Sequence, residues 1–143
     1  MKLVQKKLKI IVADPCYDHK GLSTPVIPLG AGLVAAHTKK EFPEFDVDVF
    51  KAVTPLIKEI KNNPPDIIGL TNYLWNNNLS IIVAEIAKKA NPNVLIVFGG
   101  PEIEKNPKDF IFNKKKYELV DIFVQHEGEL AFVNLIRKFI EKN

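Results

Sequence analysis

Two glycines and a proline, Gly99-Gly100-Pro101, follow directly on the apolar run at 94–98 (VLIVF), and Glu102 closes the group. Paired glycines at the carboxyl end of a strand remove side chains where backbone must turn sharply or lie close to a ligand. Thr71 and Asn72 end a second apolar run, DIIGLT, and offer hydroxyl and amide groups to a polar ligand or to a turn. Tyr73 and Trp75 place two large aromatics in the loop that follows, suited to covering a flat apolar surface of a ligand, a helix or a neighbouring domain. Glu127 and Glu129 flank Gly128 before the last helical pattern. Carboxylates there answer the helix dipole, or accept hydrogen bonds from amide donors. Glu102 carries the same two readings.

The remaining titratable groups exclude more than they assign. Cys16 is the only cysteine, so the chain forms no internal disulfide and no multi-cysteine zinc or iron–sulfur site of its own. Asp14, close by, does not favour a thiolate. His37 falls within a helical pattern and reads as a partly buried core residue; His19 reads as a solvated loop histidine. Twenty Lys and Arg against 17 Asp and Glu leave a net charge of +3, with the lysines scattered. No basic stripe interleaved with aromatics marks a nucleic-acid surface. The apolar stretch at 8–13 is too short for a signal or spanning segment, so no membrane role and a cytoplasmic setting are expected.

These groups must be positioned by a scaffold, and 143 residues make one domain, 1–143, with room for a three-layer core. Strands are predicted at 8–13, 46–50, 66–71, 94–98 and 120–125. Helices are predicted at 29–41, 56–61, 79–90, 108–116 and 128–141, with Pro28 in the first turn of the first and Asn78 capping the third. Leu29 and Gly30 bring the first helix to the crevice, and Gly32 permits tight packing on the sheet. Strands alternating with helices imply right-handed βαβ units, hence a five-stranded, mostly parallel sheet of flavodoxin/Rossmann-like α/β class in the order 2-1-3-4-5. In such sheets ligands bind outside the carboxyl ends of the strands. The loop at 14–27 is long enough to be functional. The last helix reaches the final residue without a stop signal, as if the natural chain continued.

Several occupants of this fold fail on spacing. The turn after the first strand is Asp14-Pro15-Cys16-Tyr17, with no G-x-G-x-x-G for a dinucleotide. Ser23-Thr24 come about ten residues late for a flavodoxin-type phosphate loop. A receiver domain needs an aspartate where Thr71 stands and a lysine where Gln125-His126 stand.

The segments PVIPLGAGLVAAHTKK (25–40), PDIIGLTNYLWN (65–76), NPNVLIVFGGPE (91–102) and VDIFVQHEGELAFVNLI (120–136) together resemble the cobalamin-binding domain of cobalamin-dependent radical S-adenosylmethionine enzymes. The resemblance implies cobalamin as cofactor, bound base-off at the carboxyl ends of the strands. It further implies contacts from Pro15, Leu29, Gly30, Thr71, Asn72, Tyr73, Trp75, Gly99, Gly100, Pro101, Glu102, Glu127 and Gly128. The cobalt would carry a methyl group or an electron, and the domain would present the corrin face to a radical S-adenosylmethionine module in cis or trans. That module's iron–sulfur cluster needs C-x-x-x-C-x-x-C, which a chain with Cys16 alone does not contain. As it stands the chain has no catalytic residues and supplies binding and orientation.

Two departures from the family pattern stand out. Many cobalamin domains carry D-x-H-x-x-G after the first strand, with the histidine on cobalt; here Asp18-His19-Lys20-Gly21 compresses both intervals, so the resemblance assigns no metal ligand, His19 being the one candidate. His126 replaces the first glycine of G-E-G-E. The alternative function is a non-catalytic interaction module, in which the aromatic and GGPE loops meet a partner protein and no cofactor is held. A flavin- or phosphate-binding relative is a third reading. On the cofactor reading, Gly100→Val is expected to block uptake and spare the fold.

Overall fold

The computed structural model describes residues 7–18, 26–102 and 115–142. Strand and helix alternate: β1 (Lys9–Cys16), α1 (Leu29–Glu41), β2 (Asp46–Ala52), α2 (Val53–Asn62), β3 (Ile67–Thr71), α3 (Asn77–Ala90), β4 (Leu95–Gly99), β5 (Ile122–Val124) and α4 (Glu129–Lys142). All pairings are parallel and the order is β2-β1-β3-β4-β5, as expected from the alternation. Apolar side chains on both faces of β1, β3 and β4 explain why helices cover both.

Alternation along each strand divides the interior in two. Ile11, Ile68, Leu70, Ile96 and Phe98 point to α2 and α3, where Leu56, Ile60 and Val83 meet them fully buried. Ile10, Val12, Ile67 and Val97 point to α1 and α4, against Ala31, Ala35, Phe132 and Ile136. Below, α1 and α4 are joined by Arg137, whose Nη2 meets Glu41 Oε2 at 2.6 Å and whose guanidinium lies over the Phe42 ring, 5.9 Å from its centroid. Above, toward the carboxyl ends of the strands, a cavity opens between them.

At the amino end of the sheet the buried Lys9 ammonium donates to Asp46 at 3.1 Å and to Asp48, and pairs with Glu59 at 3.0 Å. Burial pulls its pKa down, but hydrogen bonds to Asp48, Glu59 and Asp46 outweigh burial and hold it above the ordinary lysine value. The same contact, with Asn63 assisting, keeps the Glu59 carboxyl below its ordinary value.

Several boundaries differ from the sequence reading. β1 continues to Cys16, past the predicted end at 13, because the pairing slips between Ala13 and Cys16 and resumes opposite Ala52. Pro15, which has no N–H for a ladder, sits in that irregularity. α2 begins at Val53, directly after β2, because Pro55 fits a first turn. α3 begins at Asn77, so its flanking residue is Asn76 and not Asn78. Gly32 has no atom within 4 Å of where a Cβ would stand, so tight packing is not its reason. The strand expected at 120–125 is ordered at Ile122–Val124. The helix expected at 108–116 lies outside the described residues save its last two, which are in a turn. Among the described residues, no helix is long and apolar enough to cross a membrane.

Candidate functional site

At the carboxyl ends of the strands a cavity of about 290 Å³ opens between α1, α4 and the sheet. Val12, Gly69, Val97 and Gly99 form its floor, Ala31 and Val34 one wall, and Val124 and Phe132 the other. Two of the four floor residues are glycine. A Cβ on Gly69 would stand 3.1 Å from Phe132 Cε2, so that glycine lets the phenyl ring lie on the sheet. Gly30 and Gly99 serve differently: a Cβ on Gly30 would meet nothing within 4 Å, and one on Gly99 only the Val124 carbonyl at 3.9 Å. Their missing side chains leave open space. Gly128 brings α4 against α1, since its Cβ would lie 3.2 Å from Val34.

The rim is polar: Thr71, Tyr73, His126, Glu127 and Glu129 line it. His126 adopts φ +64°, a left-handed backbone that favours glycine and that few other residues take. Glu129 lies in the first turn of α4, in keeping with the dipole reading, while Glu127 stands exposed just ahead of it.

Beside the cavity lies a buried polar network. Asp14 Oδ1 accepts from Thr71 Oγ1 at 2.7 Å and from Asn76 Nδ2 at 3.0 Å, and Asp14 Oδ2 accepts from Lys51 Nζ at 2.7 Å. Asn76 Nδ2 also reaches Thr71 Oγ1 at 2.9 Å, and Asn76 Oδ1 accepts the Tyr73 N–H at 2.9 Å. Thr71 is therefore engaged with Asp14 as well as lining the cavity. Tyr73 and Trp75 stack on each other, centroids 4.5 Å apart and planes within 10°. Trp75 is 72 % exposed, so the pair covers no helix among the described residues.

Asn72 is wholly buried and holds the GGPE turn. Its N–H donates to the Gly99 carbonyl at 2.6 Å, its carbonyl accepts from Glu102 N at 3.1 Å, and its Nδ2 reaches the Glu102 carbonyl at 3.3 Å. Gly100 has φ +124°, and a Cβ there would lie 2.8 Å from the Asn72 carbonyl oxygen. This corrects the expectation for Gly100→Val: the turn itself excludes a side chain, so the substitution damages the fold as well as the site.

Of the residues assigned from sequence, Gly30, Thr71, Tyr73, Gly99, Gly100, Glu127 and Gly128 line the cavity. Leu29 and Trp75 are exposed, as are Pro101 and Glu102 in the turn; Asn72 is buried and supports that turn, and Pro15 is buried at the end of β1, outside the cavity lining. His19 lies outside the described residues. Asp18 is committed elsewhere: its carboxylate accepts from Thr54 N at 3.0 Å and Thr54 Oγ1 at 2.8 Å, capping α2. Sequence reasoning missed Gly69, Val34, Phe132 and the Asp14–Lys51 pair. The glycine inside DIIGLT was the one available signal, since a glycine within a strand marks close approach by another group.

Residues 22–136 match the model of the B12 binding domain family. The chain belongs to that family. Across 119 residues the B12 domain is 34 % identical to the cobalamin-dependent radical SAM methyltransferase TokK of Streptomyces tokunonensis, covering 78 % of this chain and 17 % of that protein. It is 31 % identical over 124 residues to the 2-(S-pantetheinyl)-carbapenam-3-carboxylate methyltransferase of Streptantibioticus cattleyicolor, covering 80 % of this chain and again 17 % of the relative. The domain thus spans about a sixth of the length of these relatives. Its fold is similar to that of the cobalamin-dependent S-adenosylmethionine radical enzyme OxsB, with TM-score 0.67 and 18 % identity over 97 % of this chain and 19 % of that one. A cobalamin-binding protein from Desulfitobacterium hafniense gives TM-score 0.64 and 15 % identity, over 94 % of this chain and 60 % of that one.

Proposed function

We propose that this B12 domain holds cobalamin base-off, with the detached benzimidazole tail in the α1/α4 cavity and the corrin over the Tyr73–Trp75 side of the rim. The observation that carries the reading is the cavity with its bare glycines. At about 290 Å³ it sits at the small end of ligand sites, so it takes part of a large cofactor and not the whole. Its apolar floor and walls suit a flat aromatic base, and the polar rim suits the sugar and phosphate beyond it. The exposed aromatic pair offers a flat apolar surface outside the cavity, where the macrocycle would lie. The residues present therefore fit the group.

When bound, the cobalt supplies methyl or electron carriage; the chain's own residues bind the cofactor, orient it and keep water from its tail. The likeness to radical SAM methyltransferases supports a role in presenting the corrin to such a module, which these 143 residues do not contain. The test is an absorption titration with hydroxocobalamin, followed by electron paramagnetic resonance of the one-electron-reduced complex. Saturable binding without nitrogen superhyperfine splitting is expected. Splitting that persists with a cofactor lacking benzimidazole would put a protein nitrogen on cobalt and end the histidine-off reading. No binding would turn the assignment to the interaction module.

A further inference from the structure

We infer that Asp14 is a positioning residue: by setting the direction of the Asn76 amide it holds the Tyr73–Trp75 pair in the stacked form that faces the cofactor. The step rests on the cofactor reading above only for the last clause; the stacking itself is a property of the protein alone. Nothing in the sequence singled out Asp14 for this. It is 9 % exposed, and its two oxygens face different partners.

A carboxylate accepts and never donates, so every neighbour must turn a donor toward it. Asp14 Oδ1 receives Thr71 Oγ1 at 2.7 Å and Asn76 Nδ2 at 3.0 Å. With its amide nitrogen committed there, Asn76 has only Oδ1 left to present on its other side. That oxygen accepts the Tyr73 N–H at 2.9 Å. The Asn76 and Asn77 N–H groups close back on the Tyr73 carbonyl at 3.2 and 2.9 Å, fixing the turn on which Trp75 is carried. Asn76 is almost completely buried, so a reversed amide would set its NH2 against the Tyr73 N–H with no water to mediate. Lys51 Nζ, 2.7 Å from Oδ2, holds the carboxylate in place.

The arrangement makes an unusual demand on substitutions. In Asp14→Asn the new amide has one acceptor and one donor end. Lys51 claims the oxygen, which leaves the NH2 facing Thr71 and Asn76, forces the Asn76 amide to reverse and breaks its bond to Tyr73. Removing the lysine as well, in Asp14→Asn/Lys51→Met, frees the oxygen to turn back to Thr71 and Asn76. The double variant should therefore regain the turn that the single variant loses.

Trp75 is the only tryptophan, so circular dichroism at the long-wavelength edge of the near-ultraviolet reports this loop alone. In cofactor-free protein, Asp14→Asn is expected to lose most of that signal and the double variant to recover it. In hydroxocobalamin titrations the single variant should bind about tenfold more weakly, the loss of one well-formed hydrogen bond's worth of order, and the double variant near the wild-type level. Ile60→Val, a mild truncation in the opposite core, should lower the melting midpoint and leave both signals alone. An unchanged tryptophan signal in Asp14→Asn overturns the inference. So does a double variant that stays as disordered as the single, since that is the mark of general damage. A lost signal with unchanged cobalamin affinity also overturns it. Failure of the wild type to bind cobalamin sinks the functional reading instead, and the cofactor-free spectra then decide the positioning of the pair.

Discussion

The α2/α3 side of the sheet is filled to the ends of the strands, whereas the α1/α4 side stops short. On the first, Leu70 and Phe98 carry large side chains up toward the turn, and Leu56 and Val83 belong to the same buried cluster. On the second, the corresponding levels hold Gly69 and Gly99, and α1 contributes Ala31 and Gly30 where a larger residue would reach the floor. Both sides are apolar and both rest on the same strands. What separates them is side-chain volume at a few positions. A protein interior is packed almost without voids, so an apolar space of this size left open at the ligand end of the sheet is a feature to be explained. Both sides carry a buried core, and the open side is left bare only at the carboxyl ends of the strands.

Three substitutions would break or sharpen that contrast. Leu56→Ala removes a fully buried side chain from the filled side and should cost about 3–4 kcal/mol by chemical denaturation. If the two sides are energetically distinct, its refolded fraction should still titrate with hydroxocobalamin at wild-type affinity. A smaller loss, about 2–3 kcal/mol, is expected for Gly100→Val, because a β-branched side chain meets both the positive φ and the Asn72 carbonyl. Retained stability there would show that the turn relaxes more easily than its geometry implies. Gly30→Leu should change stability by no more than about 0.5 kcal/mol, since its side chain enters open space on a helix. Cobalamin affinity should nonetheless fall at least about tenfold, measured by the same titration. A stable Gly30→Leu variant that binds as tightly as wild type would show the cavity to be a packing defect.

The legible part of this protein was its scaffold. Apolar runs of strand length, separated by helical patterns, placed all five strands and the order β2-β1-β3-β4-β5, and α1 was read to the residue. Errors fell where local preference and tertiary pairing disagree. Pro15 ends a strand by local rules, yet β1 recovers its register opposite Ala52 because β2 is there to receive it. Asn78 is as good a cap as Asn76 in one dimension. Only the position of Asp14, 62 residues earlier in the chain, draws the Asn76 side chain inward and away from capping.

The site was legible in the same uneven way. Gly99 and Gly100 stood out as a pair, but sequence could not separate their reasons: one leaves a floor bare, while the other is required by the Asn72 carbonyl. Tyr73 and Trp75 were visible as exposed aromatics, not as partners stacked on each other. The likeness of its motifs marked the B12 binding type; by itself the sequence determined which segments are strands and helices and that they form a parallel α/β sheet. Those follow from periodicity and from chirality, which act along the chain. The cavity, the Asp14–Lys51 pair and the task of each glycine were decided only by the tertiary structure, because each depends on how close two distant segments come, and a spacing along the chain carries no distance across the sheet.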